Sequence, residues 1–104
     1  MKIAITSTGK TVDSMVDPRF GRCSYFAVYD TETMHLEFVE NTNKDASGGA
    51  GPATVQLIAQ YGVSSIISGE FGGKVKPILQ DLGIQMITED NEQSTIQDIL
   101  TKKI

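Results

Sequence analysis

Seven residues, Asp17-Pro18-Arg19-Phe20-Gly21-Arg22-Cys23, place two guanidiniums and the only thiol of the chain around one glycine. Guanidiniums donate strongly to anionic oxygens or sulfides. A thiol beside Arg22 is expected to ionise more easily and so to serve as a metal ligand. The opposite reading has Phe20 packed in the core, the arginines paired with Asp13 and Asp17, and Cys23 as a small buried residue. A second group of residues, Ser47-Gly48-Gly49-Ala50-Gly51-Pro52, leads into a helical pattern. Glycines at 48, 49 and 51 let backbone approach a ligand closely, and a helix start offers free N–H donors. The same residues also suit a plain flexible loop ending in a cap. A third, Ser68 to Val75, imitates a phosphate-binding loop between a strand and a helix. Its spacing is too short, and Val75 stands where a magnesium-binding hydroxyl would be needed. What remains there is a strand-to-helix turn whose Gly72 and Gly73 expose backbone N–H groups.

Other chemistries lack their parts. Gly49-Ala50-Gly51 is only a partial dinucleotide fingerprint and follows a loop instead of a strand, so no nucleotide is expected. His35 is the only histidine and lies on the polar parity of its strand, which points it to solvent. One cysteine and one histidine cannot complete a four-ligand zinc site in one chain. One cysteine also excludes an intrachain disulfide or a four-thiolate cluster site. The first strand carries no carboxylate, as two-metal nuclease chemistry would require.

The elements that position these residues follow from periodicity. Lys2–Thr6 reads as a strand, and residues 7 to 22 as a long irregular loop. Ser24–Asp30 and Met34–Glu40 form a hairpin. Pro52 opens a first helix running to about Tyr61, with Val55, Ile58 and Ala59 on one face, and Gly62 ends it. Val63–Ser68 is a continuous apolar strand. A second helix presents Val75, Ile78, Leu79 and Leu82, and it must begin near Gly73 or Lys74 to keep Pro77 in its first turn. Gly83 ends it, Ile84–Thr88 is the last strand, and Ser94 with Gln97 is expected to form a capping box for a third helix. The order β-β-β-α-β-α-β-α predicts an α/β fold: a five-stranded mixed sheet with strands one, four and five parallel and a hairpin at one edge.

The chain has 104 residues, a formal net charge of -4, 39% hydrophobic and 21% charged residues. These values describe one ordinary globular domain spanning 1–104. Its basic clusters are Arg19 with Arg22, Lys74 with Lys76, and Lys102 with Lys103, too few for a nucleic-acid stripe. With no apolar leader and no span of membrane length, a cytoplasmic location is expected.

As a set in this order, several segments resemble the nitrogenase iron–molybdenum-cofactor biosynthesis family, the domain of NifX, NifY and the NifB C-terminal region. They are Met1-Lys2-Ile3-Ala4-Ile5, Phe20-Gly21-Arg22 leading to Tyr25-Phe26, Asn41, Gly49-Ala50-Gly51, Gly62-Val63, Gly69, Gly72-Gly73 and Leu82-Gly83-Ile84. The resemblance implies a ribonuclease H-like fold without enzymatic activity. It also implies carriage of an iron–sulfur or molybdenum-containing cluster or its precursor, exchanged with metal-cluster biosynthesis or acceptor proteins. Neither nucleic acid nor membrane is an expected partner, and a monomer or weak dimer is expected. Many relatives carry a histidine just before the Gly-Ala-Gly segment. Ser47-Gly48-Gly49 stands there instead, which shifts the expected contacts to backbone N–H groups, Arg22 and Cys23. The expected ligand cleft lies between loop 7–22 and loop 47–51, with Arg19, Phe20, Gly21, Arg22, Gly48, Gly49, Ala50, Gly51, Gly72 and Gly73 binding and Cys23 as the metal ligand. Two other classes compete: a metal-free regulatory or scaffold module for a partner protein or small anion, and a small enzyme using loop 68–74 on phosphorylated substrates.

Overall fold

A computed structural model describes residues 1–91 and 93–102. Lys103, half of the last basic pair, falls outside them. Five strands and three helices alternate as β1 (Lys2–Ser7), β2 (Tyr25–Asp30), β3 (Leu36–Glu40), α1 (Ala50–Ala59), β4 (Val63–Ser68), α2 (Val75–Asp81), β5 (Gln85–Thr88) and α3 (Ile96–Lys102). The sheet order is β3-β2-β1-β4-β5. β2 is antiparallel to β1 and β3, while β1, β4 and β5 run parallel. The predicted mixed sheet with a hairpin edge is therefore present.

Alternation along the strands divides the core into two layers. Ala4, Phe26, Val28, Val39 and Ile66 face α1 and α2, meeting Val55, Ile58, Val75 and Leu79. Ile3, Ile5, Ala27 and Ile67 face the other way, toward Ile96 and Ile99 of α3. Register slips between β1 and β4, with Lys2 opposite Val63 but Ile3 opposite Ser65. That bulge lets Val63 and Ile66, of opposite parity, join the same layer.

Helix ends explain most departures from the expected boundaries. α1 starts two residues before Pro52, because Gly49 takes a left-handed conformation (φ 69°) as N-cap and its carbonyl accepts the Ala53 N–H at 3.1 Å. Pro52 remains in the first turn, where its missing N–H costs nothing. α2 starts at Val75, as Pro77 demands. It stops in a Schellman motif: Gly83 (φ 71°) donates to Gln80 and Ile84 donates to Leu79. This turns Leu82 outward to 54% exposure, against the expectation that it faces inward, and Ile84 is buried in its stead. α3 is capped one residue later than predicted. Thr95 and Asp98 form the reciprocal box, with Asp98 N–H donating to Thr95 Oγ1 at 3.1 Å and Thr95 N–H donating to the Asp98 carboxylate at 3.0 Å. Ser94 is buried instead, its hydroxyl reaching Glu89. β3 begins at Leu36, since Met34 is spent on the hairpin turn with φ 63°. His35 is exposed as expected, but because it sits before β3 and not by strand parity: Val39, of the same parity, is buried, and Met34, of the other, is exposed.

Candidate functional site

The carboxyl ends of β1, β3, β4 and β5 share one edge of the sheet, which is where open α/β sheets hold ligands. Three segments converge there. Residues 19–22 follow β1, residues 49–52 open α1, and residues 70–75 join β4 to α2. Together they line a cavity of about 360 Å³. Arg19, Phe20, Gly21, Arg22, Gly49, Ala50, Gly51, Gly72 and Gly73 all line it, whereas Gly48 does not. Pro52, Glu70, Lys74 and Val75 complete the wall. Sequence reasoning used Pro52 only as a helix opener and set Glu70, Lys74 and Val75 aside with the rejected phosphate-loop match. The rule that ligands sit at the carboxyl edge would have recovered these three, because the β4–α2 loop must lie beside the β1 loop.

Close backbone approach builds the cleft. A Cβ on Gly21 would lie 3.0 Å from the Cα of Gly51, and one on Gly51 would lie 2.8 Å from Val75 Cγ2. Phe20 is buried beneath, edge-on to Phe26 at 5.6 Å and tilted against Phe71 at 5.9 Å. Phe20, Ala50, Pro52 and Val75 thus give the cavity apolar surface between its charged rims.

The two arginines do different work. Arg22 Nη1 donates to the carbonyls of Lys44 at 2.8 Å and Ala46 at 2.6 Å, clamping the segment that precedes α1. It pairs with neither Asp13 nor Asp17. Arg19 is exposed, and its Nε lies 3.6 Å from buried Asp17, a loose pairing of small worth at the surface. Asp17 is fixed first by the Arg19 backbone N–H at 2.9 Å. The Arg19 guanidinium therefore stays available to a ligand. Residues 19 and 70 are also joined in a short parallel bridge. At the start of α1 no side chain caps the helix and no acidic residue sits in the first turn. Its first N–H groups therefore carry the positive end of the helix dipole toward the cavity.

Cys23 corrects the sequence expectation. Its thiol is fully buried beneath the cleft, not in its wall. Burial, with the Asp17 carboxylate nearby, pushes its pKa up to about 12 instead of down. The expected lowering assumed that Arg22 would face the sulfur, but its Nη1 is turned to the Lys44 and Ala46 carbonyls. A group whose folded pKa is raised supports folding below its unfolded pKa and loses that support as pH rises through the folded one. Wild-type stability is accordingly expected to fall between about pH 9 and pH 12. Iodoacetamide at pH 7 is expected to label the folded thiol at least ~100-fold more slowly than the urea-unfolded one. Equal labelling rates would show that the sulfur is not held neutral and buried.

Among the described residues no group of three or more His, Cys, Asp or Glu side chains could hold a metal ion. No described helix is long and apolar enough to cross a membrane.

Comparison with known proteins adds context to this geometry. Residues 1–104 match the family model described as Dinitrogenase iron-molybdenum cofactor. The apo form of the orange protein from Desulfovibrio gigas superposes with a TM-score of 0.90 at 36% identity, covering 98% of this chain and 85% of that one. A NifB candidate from Thermotoga of the DUF35 family, solved by NMR, gives 0.82 at 37% identity, covering 96% and 84%. An uncharacterized protein of Methanocaldococcus jannaschii is 30% identical over 90 residues, which is 83% of this chain and 76% of the relative.

Proposed function

The chain belongs to the dinitrogenase iron-molybdenum cofactor family, and from that premise we propose that it is a non-catalytic carrier for an iron–sulfur or molybdenum–iron–sulfur cluster or its precursor. The observation that carries this reading is the composition of the cleft wall. It offers backbone N–H groups at the start of α1, Arg19, Lys74 and apolar surface, and it contains neither a thiolate nor an imidazole. Such a wall suits cargo that arrives with its own sulfides. Those sulfides accept hydrogen bonds from N–H groups and guanidiniums, while their polarisable faces rest on Phe20, Pro52 and Val75. In a chain of net charge -4, the cations at this one mouth give a local attraction for an anion. Holding a cluster without a covalent metal–protein bond also suits a protein that must release it.

The relative from Desulfovibrio gigas is named for its colour and was solved in its apo form. A removable chromophore fits that pair of facts, and sulfide-to-metal charge transfer gives such colours. On this reading the sheet is of the ribonuclease H-like kind without nuclease carboxylates, since β1 contributes no Asp or Glu. The partners are proteins that assemble the cluster and proteins that accept it, met by a monomer or weak dimer. Cys23 is a core residue, and Arg22 shapes the cleft as much as it faces the cargo.

The test is anaerobic incubation with iron, sulfide and molybdate, desalting, then metal analysis and a visible spectrum. Wild-type protein is expected to retain stoichiometric metal with charge-transfer bands. Charge-assisted hydrogen bonds are worth about 1.5–3 kcal/mol each. The Arg19→Ala, Arg22→Ala double variant is therefore expected to retain at least ~10-fold less metal. A colourless wild type, or a double variant that loads equally, would turn the assignment toward a metal-free partner module.

A further inference from the structure

Two buried polar side chains bond to the cleft wall without lining the cavity. Asn41, just after β3, and Thr54, in α1, are 1% and 0% exposed. Asn41 Nδ2 donates to the carbonyls of Gly21 at 3.1 Å and Cys23 at 2.9 Å. Its Oδ1 accepts the Asn43 N–H at 3.1 Å and lies 3.3 Å from Thr54 Oγ1. That hydroxyl is also 3.3 Å from the Gly21 carbonyl, so its one proton serves one of two acceptors at a time. Gly21 is thus tied to the residue after β3 directly, and to α1 either directly or through Asn41. It is also the residue whose backbone lies against Gly51 in the first turn of α1.

We infer that Asn41 and Thr54 are positioning residues of the cleft: they fix the separation between the Phe20–Arg22 wall and the first turn of α1, and thereby its affinity for anionic cargo. The inference rests on reading the cleft as the cargo site. Apolar side chains of equal volume would fill the same space but would not select one register. A buried amide with both ends bonded is satisfied in a single arrangement of the three segments. A wall held in place before the ligand arrives loses less conformational freedom on binding.

Thr54→Val separates this role from general packing. It keeps the shape of the side chain and orphans nothing, because the Gly21 carbonyl retains the Asn41 amide and Asn41 Oδ1 retains the Asn43 N–H. The full chain is compared as wild type, Thr54→Val and Thr54→Ser. Three quantities are measured: amide hydrogen exchange by NMR of Asn43, whose N–H donates to Asn41 Oδ1, and of Ala53, whose N–H donates to the Gly49 carbonyl, denaturant midpoint, and metal retained after the anaerobic iron, sulfide and molybdate incubation. In Thr54→Val, exchange at both amides is expected to quicken at least ~10-fold. Retained metal is expected to fall about tenfold at denaturant-free conditions where the protein is folded, a change worth ~1.4 kcal/mol. Thr54→Ser is expected to restore both. Wild-type exchange and retention in Thr54→Val, or a serine variant as impaired as the valine one, would overturn the inference. Should Thr54→Val fail to fold, Asn41→Gln, which displaces the amide by one methylene, takes its place, and wild-type values in it would overturn the inference equally. If wild-type protein retains no metal, the cargo reading fails, and the exchange rates alone decide whether the pair positions the walls.

Discussion

Gly69→Ala is expected to cost about 3 kcal/mol of folding stability, at the upper end for overpacking a closed site. A Cβ there would overlap the Cα of Pro18 and lie 2.9 Å from its carbonyl oxygen. Both obstacles are backbone, so no rotamer change relieves the overlap. The segment cannot retreat easily either, because Asp17 N–H donates to the Thr6 carbonyl at 2.9 Å and Thr6 Oγ1 donates to the Asp17 carbonyl at 2.7 Å. The strain would pass to Arg19, one residue on, and to its bridge with Glu70. Chemical denaturation should show the loss, and metal retention per folded molecule should fall with it. A variant as stable as wild type would mean that β4 and the 17–19 segment do not approach as closely as described.

Asn41→Asp is nearly isosteric and is expected to cost about 3 kcal/mol or more at pH 7, the range for leaving a buried charge without compensation. The amide nitrogen that now faces two carbonyls would become a carboxylate oxygen facing them. Burial and this repulsion both favour the protonated acid. The deficit relative to wild type should therefore shrink as the solution is acidified and grow as pH rises through the titration of the new carboxyl. Denaturant midpoints of the two proteins across that range provide the measurement. A deficit independent of pH would show that the carboxyl is not confined in the network, which would also weaken the case for Asn41 as a positioning residue.

Much of the frame was legible because its signals are local. Val63–Ser68 came out with both ends correct, since a parallel strand covered on both faces reads as a run of small and apolar residues, here bounded by Gly62 and Gly69, with Ser64 alone exposed. Pro77 placed the start of α2 near Gly73 or Lys74, and the helix opens at Val75 with Lys74 as its N-cap. The segments that line the cleft were recognisable from residue types, and nine of the ten residues expected there share one cavity. The errors cluster where a residue's role depends on a distant neighbour. Ser94 and Thr95 are equally good caps by type, and Asp98 rather than Gln97 decided between them. Leu82 fitted the helical stripe, but the turn at Gly83 removed it from the helix face.

The sequence by itself determined the element order, the hairpin edge, the family and the three segments that line the cleft, because periodicity, proline, glycine and charge act within a few residues of where they stand. Only the tertiary structure decided what those residues do. Arg22 could be either a ligand contact or an ion-pair partner until carbonyls more than twenty residues away took up its Nη1. Cys23 could be thiolate or core until burial settled its proton. Asn41 entered the family resemblance, but neither it nor Thr54 signalled a site by its type, since what they bond to is brought near only by folding. Charge state and hydrogen-bond partnership are set by the groups that folding brings near, and adjacency along the chain does not contain them.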